Sequence, residues 1–126
     1  MIWSRIKHAL KFGIVIQNSK IPGLLSWFIN IQAITIYPFI IFRNETDEQT
    51  INHERIHIFQ QRELLVLPFY ILYVWYWLSN KFFYKDDSRL AYYNIPFEVE
   101  AYQNDQNMGY LFNRKSFNWL NYFIKR

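Results

Sequence analysis

The order of apolar and polar residues divides the chain into stretches of different period. Ile2, Ile6, Ala9, Leu10 and Gly13 recur along one helical face, while Arg5, Lys7 and Lys11 fall elsewhere. This predicts a basic amphipathic helix over residues 1–17, within an N-terminal region of 1–20. Such a helix suits a membrane surface or the body of the domain. Ser19-Lys20-Ile21-Pro22-Gly23 is a turn signal. No charge occurs from Ile21 to Phe42, long enough to raise the question of a membrane span. Pro22, Gly23, Asn30, Gln32, Thr35 and Pro38 interrupt that run. Ile29 to Ala33 alternates, and Ile34–Ile36 and Phe39–Phe42 are β-branched and aromatic, which predicts two short strands or one strand broken at Pro38.

Asn44, Thr46 and Asp47 are capping residues, and Glu48 suits a first turn. The expected helix runs from about Asp47 to about Ser79, kinked or divided at Pro68. Its second half, Leu64 to Asn80, is uncharged and carries Trp75, Tyr76 and Trp77. Three readings stay open for it: a core helix, a membrane span of minimal length, or a helix lying in the membrane interface. Lys81 to Arg89 reads as a loop, Pro96 to about Asn107 as a helix, and Arg114 to Lys125 as a last helix. There is no internal repeat.

Composition narrows the function classes. With 126 residues the chain is one domain. Five Trp, ten Tyr and twelve Phe exceed what so small a core can hide, so apolar surface for a partner or a membrane is expected. The net charge of +4 is spread in ones and twos, and the aromatics do not alternate with basic residues. That argues against nucleic acid and is compatible with an anionic membrane surface. Without cysteine, any metal must be held by His and carboxylates. The N-terminus lacks an apolar core of signal-peptide length, so a cytoplasmic protein is expected, either free or membrane-associated.

The chemistry concentrates in Ile51-Asn52-His53-Glu54-Arg55-Ile56-His57. Residues four apart on a helix share a face, so His53 and His57 can hold one ion. Glu54 lies about 100° round from His53, placed to take a proton from water at that ion rather than to ligate it. An HExxH run arises by accident in well under ~1% of chains this long. A catalytic zinc normally takes three protein ligands. His8, in the basic N-terminal helix, reads as an exposed histidine, so carboxylates become the candidates. Pro96-Phe97-Glu98-Val99-Glu100-Ala101-Tyr102 offers two, Glu98 and Glu100.

With these segments the chain resembles the gluzincins, zinc metallopeptidases in which a Glu from a later helix completes HExxH. It is most similar to small bacterial HExxH…ExxA proteins, over about Ile34 to Tyr110. Matched to the Glu-x-x-Ala pattern, Glu98 would be the third ligand. Glu100 is the next candidate and otherwise supports the site from behind or faces solvent. Small Ala101 would allow close helix approach. The resemblance implies an α+β fold, a minimal zincin-like domain with a small sheet on the HExxH helix and the Glu-bearing helix crossing it. It also implies a Zn2+ cofactor and hydrolysis of a peptide or amide with Glu54 as general base. An edge within Ile34–Phe42 would bind an extended peptide or protein substrate, and Tyr92, Tyr93 or Tyr102 could face the oxyanion. Gln60 and Gln61, three and four residues past His57, can orient a ligand or the water. Arg55 departs from the uncharged residues usual at its position and could pair with a carboxylate on the outer face of the helix. The alternatives are a zinc-binding pseudo-peptidase and a membrane-associated interaction protein.

Overall fold

The computed structural model describes residues 2–24, 32–85 and 87–123. The fold is α+β. Seven helices and one 3-10 turn are found among the described residues, with one three-stranded sheet.

Helix α1 (Ile2–Phe12) ends sooner than its periodicity predicts. Gly13 takes φ +89°, and its N–H closes onto the Ala9 carbonyl. A Cβ there would meet Ile58 at 3.0 Å and Ile40 at 3.1 Å, so neither that backbone nor that space suits a larger residue. The β-branched run beyond it forms strand β1 (Ile14–Ile16) instead of continuing the helix. Ile21–Leu24 makes a single helical turn, α2, its first N–H bonded to the Ser19 hydroxyl. The expected alternation at Ile29–Ile31 lies outside the described residues.

Strands β2 (Ala33–Ile36) and β3 (Phe39–Phe42) confirm two strands and are joined at Tyr37-Pro38. They pair antiparallel with Ile34 opposite Ile41, while β1 runs parallel on the other side of β3. The order β1-β3-β2 leaves β2 at an edge.

The long central helix is divided in two. α3 (Glu48–Leu64) starts at Asp47, whose carboxylate accepts from Thr50 N–H at 2.8 Å, and the Thr50 side chain and then that N–H hold the Asp47 pKa below its usual value. It stops at Leu65 and Val66, both at positive φ (61° and 59°). The break therefore precedes Pro68, which sits in the tolerated first turn of α4 (Leu67–Phe83). α4 runs past the predicted loop start at Lys81. α5 (Ser88–Tyr93), capped by Asp87, takes in the last two residues of that segment. α6 (Pro96–Asn104) opens with Pro at its first position. Over the last predicted helix, Arg114 to Lys125, the described residues form a 3-10 turn, Asn118–Tyr122, and short α7 (Tyr110–Asn113) precedes it.

Three apolar clusters fix how these elements meet. Ile51 and Ile58 of α3 pack on Ile40 and Phe42 of the sheet. Ile56, on another side of α3, meets Ala101 of α6 and Leu111. Phe69, Ile95, Phe97 and Trp119 join α4, α6 and the 3-10 turn. Phe97 is fully buried, and truncating such a residue to Ala typically costs about 3–5 kcal/mol. With its apolar faces spent on the sheet and α6, α3 brings its histidines to the seam between α4 and α6. Among the described residues no helix is long and apolar enough to cross a membrane.

Candidate metal centre

His53 and His57 lie one turn apart on α3 and turn their Nε2 atoms toward α6. Each Nε2 is 3.0 Å from Glu98 Oε1. The three side chains are buried and their ligand atoms lie within 4.8 Å of one another. Glu98, named from the Glu-x-x-Ala match, is thus the carboxylate beside the histidines.

The surrounding hydrogen bonds decide where the ring protons sit. His53 Nδ1 faces Asp105 Oδ2 at 3.0 Å, and a carboxylate only accepts, so Nδ1 carries the proton. Gln60 donates from Nε2 to the Phe97 carbonyl and to Glu100 Oε1, which directs its Oε1 to His57 Nδ1 at 2.7 Å. His57 Nδ1 must therefore donate as well. In neutral rings both Nε2 atoms are then lone pairs, and they face a carboxylate oxygen. Three acceptors at this distance repel unless a cation lies among them. The donor set fits a metal ion.

Without a metal the cation is a proton. Burial pushes the His57 pKa down, but the charge and hydrogen bond of Glu98 outweigh it and raise it from 6.5 to about 10. Burial likewise opposes ionisation of Glu98, yet His57 and His53 hold it well below the usual carboxylate range. Tyr73 on α4 donates to the other Glu98 oxygen at 2.7 Å. Burial and then Glu98's charge push the Tyr73 pKa far up, so its hydroxyl stays a donor.

Glu54 stands beside His53, His57 and Glu98, half-buried, with Oε2 accepting from the Thr35 hydroxyl at 2.6 Å. It borders a cleft of about 520 Å³ between β2, α3 and α4, walled by Ile34, Ile36, Phe69, Tyr70 and Tyr92. On the His53 side, Glu54 and Tyr92 also border a second, more polar cleft with Gln49, Thr50 and Asp105.

The remaining sequence candidates divide. Gln60 orients His57 as described. Gln61 does not reach the ligands: it brackets the β2 edge, accepting from Tyr37 N–H at 2.7 Å and donating to the Thr35 carbonyl at 2.7 Å. Tyr70 donates to the same carbonyl. Burial raises the Tyr70 pKa to about 12. Glu100 is neither a ligand nor exposed. It is fully buried, its oxygens held by Arg114, Tyr110 and Gln60. Tyr102 packs its ring 4.3 Å from His53 and shares a 2.9 Å hydrogen bond with Tyr92. Of the three tyrosines considered for the oxyanion, Tyr92 lines both clefts, Tyr102 lines the more polar one, and Tyr93 lines neither. His8 is exposed and stacks on Phe12. Arg55 has no ion pair with a described carboxylate, contrary to the expected outer-face partner. Its Nε is buried without a hydrogen bond.

Asp105, Tyr73 and Thr35 were not singled out from the sequence. Asp105 lies seven residues beyond Glu98, outside the motif's span. Its place depends on Asn52, which donates to the Asp105 and Asn107 carbonyls, and on Gln49, which donates to its carboxylate. Thr35 could have been reached as the polar residue of an otherwise apolar strand. No family model, curated protein or solved structure matches this chain.

Proposed function

We propose that this protein is a zinc-dependent peptidase or amidase of minimal gluzincin type, with His53, His57 and Glu98 as ligands and Glu54 as general base. The observation that carries it is the convergence of three acceptor atoms beside a carboxylate that opens onto a substrate-sized cleft. Two imidazoles and one carboxylate are a common donor set for catalytic zinc. Their 3.0 Å separations are near the roughly 3.3 Å edge of a tetrahedral zinc site. When bound, zinc supplies a Lewis acid and brings the pKa of water toward neutrality.

The chain's own residues supply the rest. Thr35 fixes Glu54 by one oxygen and leaves the other to take a proton from the attacking water and return it to the departing amine. Tyr92, whose pKa is pushed well up by burial and then by Glu98's charge, stays protonated and can donate to a carbonyl oxygen as charge develops. β2 supports an extended substrate. Arg43 N–H donates to the Gln32 carbonyl, so in the antiparallel register Ile34 and Ile36 bond toward β3 while Ala33 and Thr35 face outward. Ala33 thereby offers N–H and C=O along the cleft, and Ile34 and Ile36 wall it with apolar surface that favours apolar side chains.

The test is a peptide-library digest by the zinc-loaded protein, read by mass spectrometry beside Glu54→Gln. Cleavage by wild type, with the variant retaining zinc but losing at least about a hundredfold in rate, is expected. A zinc-loaded wild type that cuts no peptide or amide would leave a zinc-binding pseudo-peptidase in its place. Loss of zinc from Glu54→Gln would mean that Glu54 is a ligand rather than a base.

A further inference from the structure

The outer face of α4 is the reverse of a solvated helix. Leu67, Ile71, Val74, Trp75, Leu78 and Phe82 recur at three- and four-residue spacing and all are exposed. Phe82 is 91% exposed and Trp75 65%. No polar side chain of the helix shares that face. The inner face carries Phe69 and Asn80 into the core and Tyr70 and Tyr73 into the cleft. The stripe continues at the α3–α4 junction, where Leu65 is held at positive φ and is 78% exposed. Positive φ is costly for a non-glycine residue.

Charge says what covers this face. α4 contains no acidic residue, and its one charge is Lys81, whose ammonium lies 4.9 Å from the centre of the Trp77 ring at the edge of the stripe. Exposed Lys85 and Arg89 follow beyond its C-terminal end. Asp87 lies there too, but its carboxylate is occupied in capping α5. A second copy of the chain would bring the same cations to the rim, with no carboxylate on the helix to meet them. An anionic bilayer meets both features, taking the apolar residues at the acyl boundary and the cations among the headgroups. Trp75 at the stripe's margin suits the same depth.

We infer that the Leu67–Phe83 helix docks its outer face on an anionic lipid surface, lying in the interface rather than crossing it. Because its inner face walls the cleft, docking would hold the cleft next to the membrane. The inference stands on the apolar face and its cations and does not depend on the metal.

Co-sedimentation of the full chain with phosphatidylcholine vesicles, with and without phosphatidylglycerol, tests it. Wild type should bind the anionic vesicles and bind the neutral ones at least tenfold more weakly. Ile71→Glu combined with Phe82→Glu should abolish binding, and Lys81→Gln with Lys85→Gln should weaken it roughly 20-fold. Circular dichroism of each variant should match wild type. Failure to bind either vesicle, or equal binding to both, overturns the inference. So does a dimer in light scattering that the Ile71/Phe82 variant dissolves while wild type ignores vesicles, since a second copy would then cover the face.

Discussion

Two buried polar clusters stand between α3 and the C-terminal third of the chain, and they differ in one respect. In the first, Arg114 lies between Glu63 and Glu100. Its Nε is 2.6 Å from Glu100 Oε2 and its Nη1 is 2.7 Å from Glu63 Oε2. Tyr110 and Gln60 complete the bonds to Glu100. Two carboxylates thus meet a built-in guanidinium, and the guanidinium's pKa is raised: burial opposes its charge, but Glu100 and Glu63 outweigh it. In the second cluster, with both rings neutral, His53, His57 and Glu98 offer only acceptors, because the hydrogen bonds to Asp105 and Gln60 keep each ring's own proton on Nδ1. The same helices thus build a cluster that contains its cation and one that must acquire it. Without a metal the second cluster takes up a proton, and the same three acceptors could hold a metal ion in its place.

The comparison can be broken from either side. The largest effect belongs to the closed cluster. Arg114→Met should leave Glu63 and Glu100 uncompensated and cost about 3–5 kcal/mol in urea unfolding. A loss under about 1 kcal/mol would show that water reaches the carboxylates and that the two clusters are not as different as described.

A smaller effect is expected from Asp105→Asn, which removes the carboxylate that fixes the His53 proton. Zinc affinity measured by chelator competition should fall about 10–100-fold, with the circular dichroism spectrum unchanged. Unchanged affinity would mean that Asp105 does not set the tautomer.

The smallest effect sharpens the contrast through pH. The His57 pKa is raised above its ordinary 6.5, so its contribution is complete below that value and is lost as pH rises through about 10. The Glu98 pKa is depressed, so its contribution is present above its ordinary 4.5 and is lost as pH falls through its lower folded value. Chelator-treated protein should therefore gain most from this pair between about pH 4.5 and 6.5 and lose stability as pH rises toward 10. With zinc the ligands are already deprotonated, so stability should instead grow as pH rises through the neutral range. Identical profiles with and without zinc would contradict this.

Much of the site was legible in the sequence because it is local. His53, Glu54, His57 and Gln60 share one helix, and their relations follow from its 3.6-residue period. Glu98 followed only from a motif match, since nothing in spacing relates two helices 45 residues apart. Asp105 and Thr35 reach the site through long-range contacts, Asn52 to the Asp105 carbonyl and Gln61 to β2, which no periodicity reports. Gln61 shares a helical face with the histidines yet bonds to the β2 edge, because α3 is surrounded and one face meets more than one partner. Ile14 and Ile16 continue the apolar count of the N-terminal helix, which nevertheless ends at Phe12. The positive φ at Gly13 and pairing with β3 override that count. The long helix was expected to yield at Pro68, yet proline is accommodated in a first turn, and the break falls at Leu65 and Val66, where no residue type signals it.

Metal content of the full chain, measured by mass spectrometry beside His53→Ala and Glu98→Ala, decides whether the three buried side chains hold zinc. One zinc per chain in wild type, lost in both variants while their circular dichroism stays native, is the predicted result. Wild type that takes up no zinc from a metal-replete, chelator-free buffer would contradict the account.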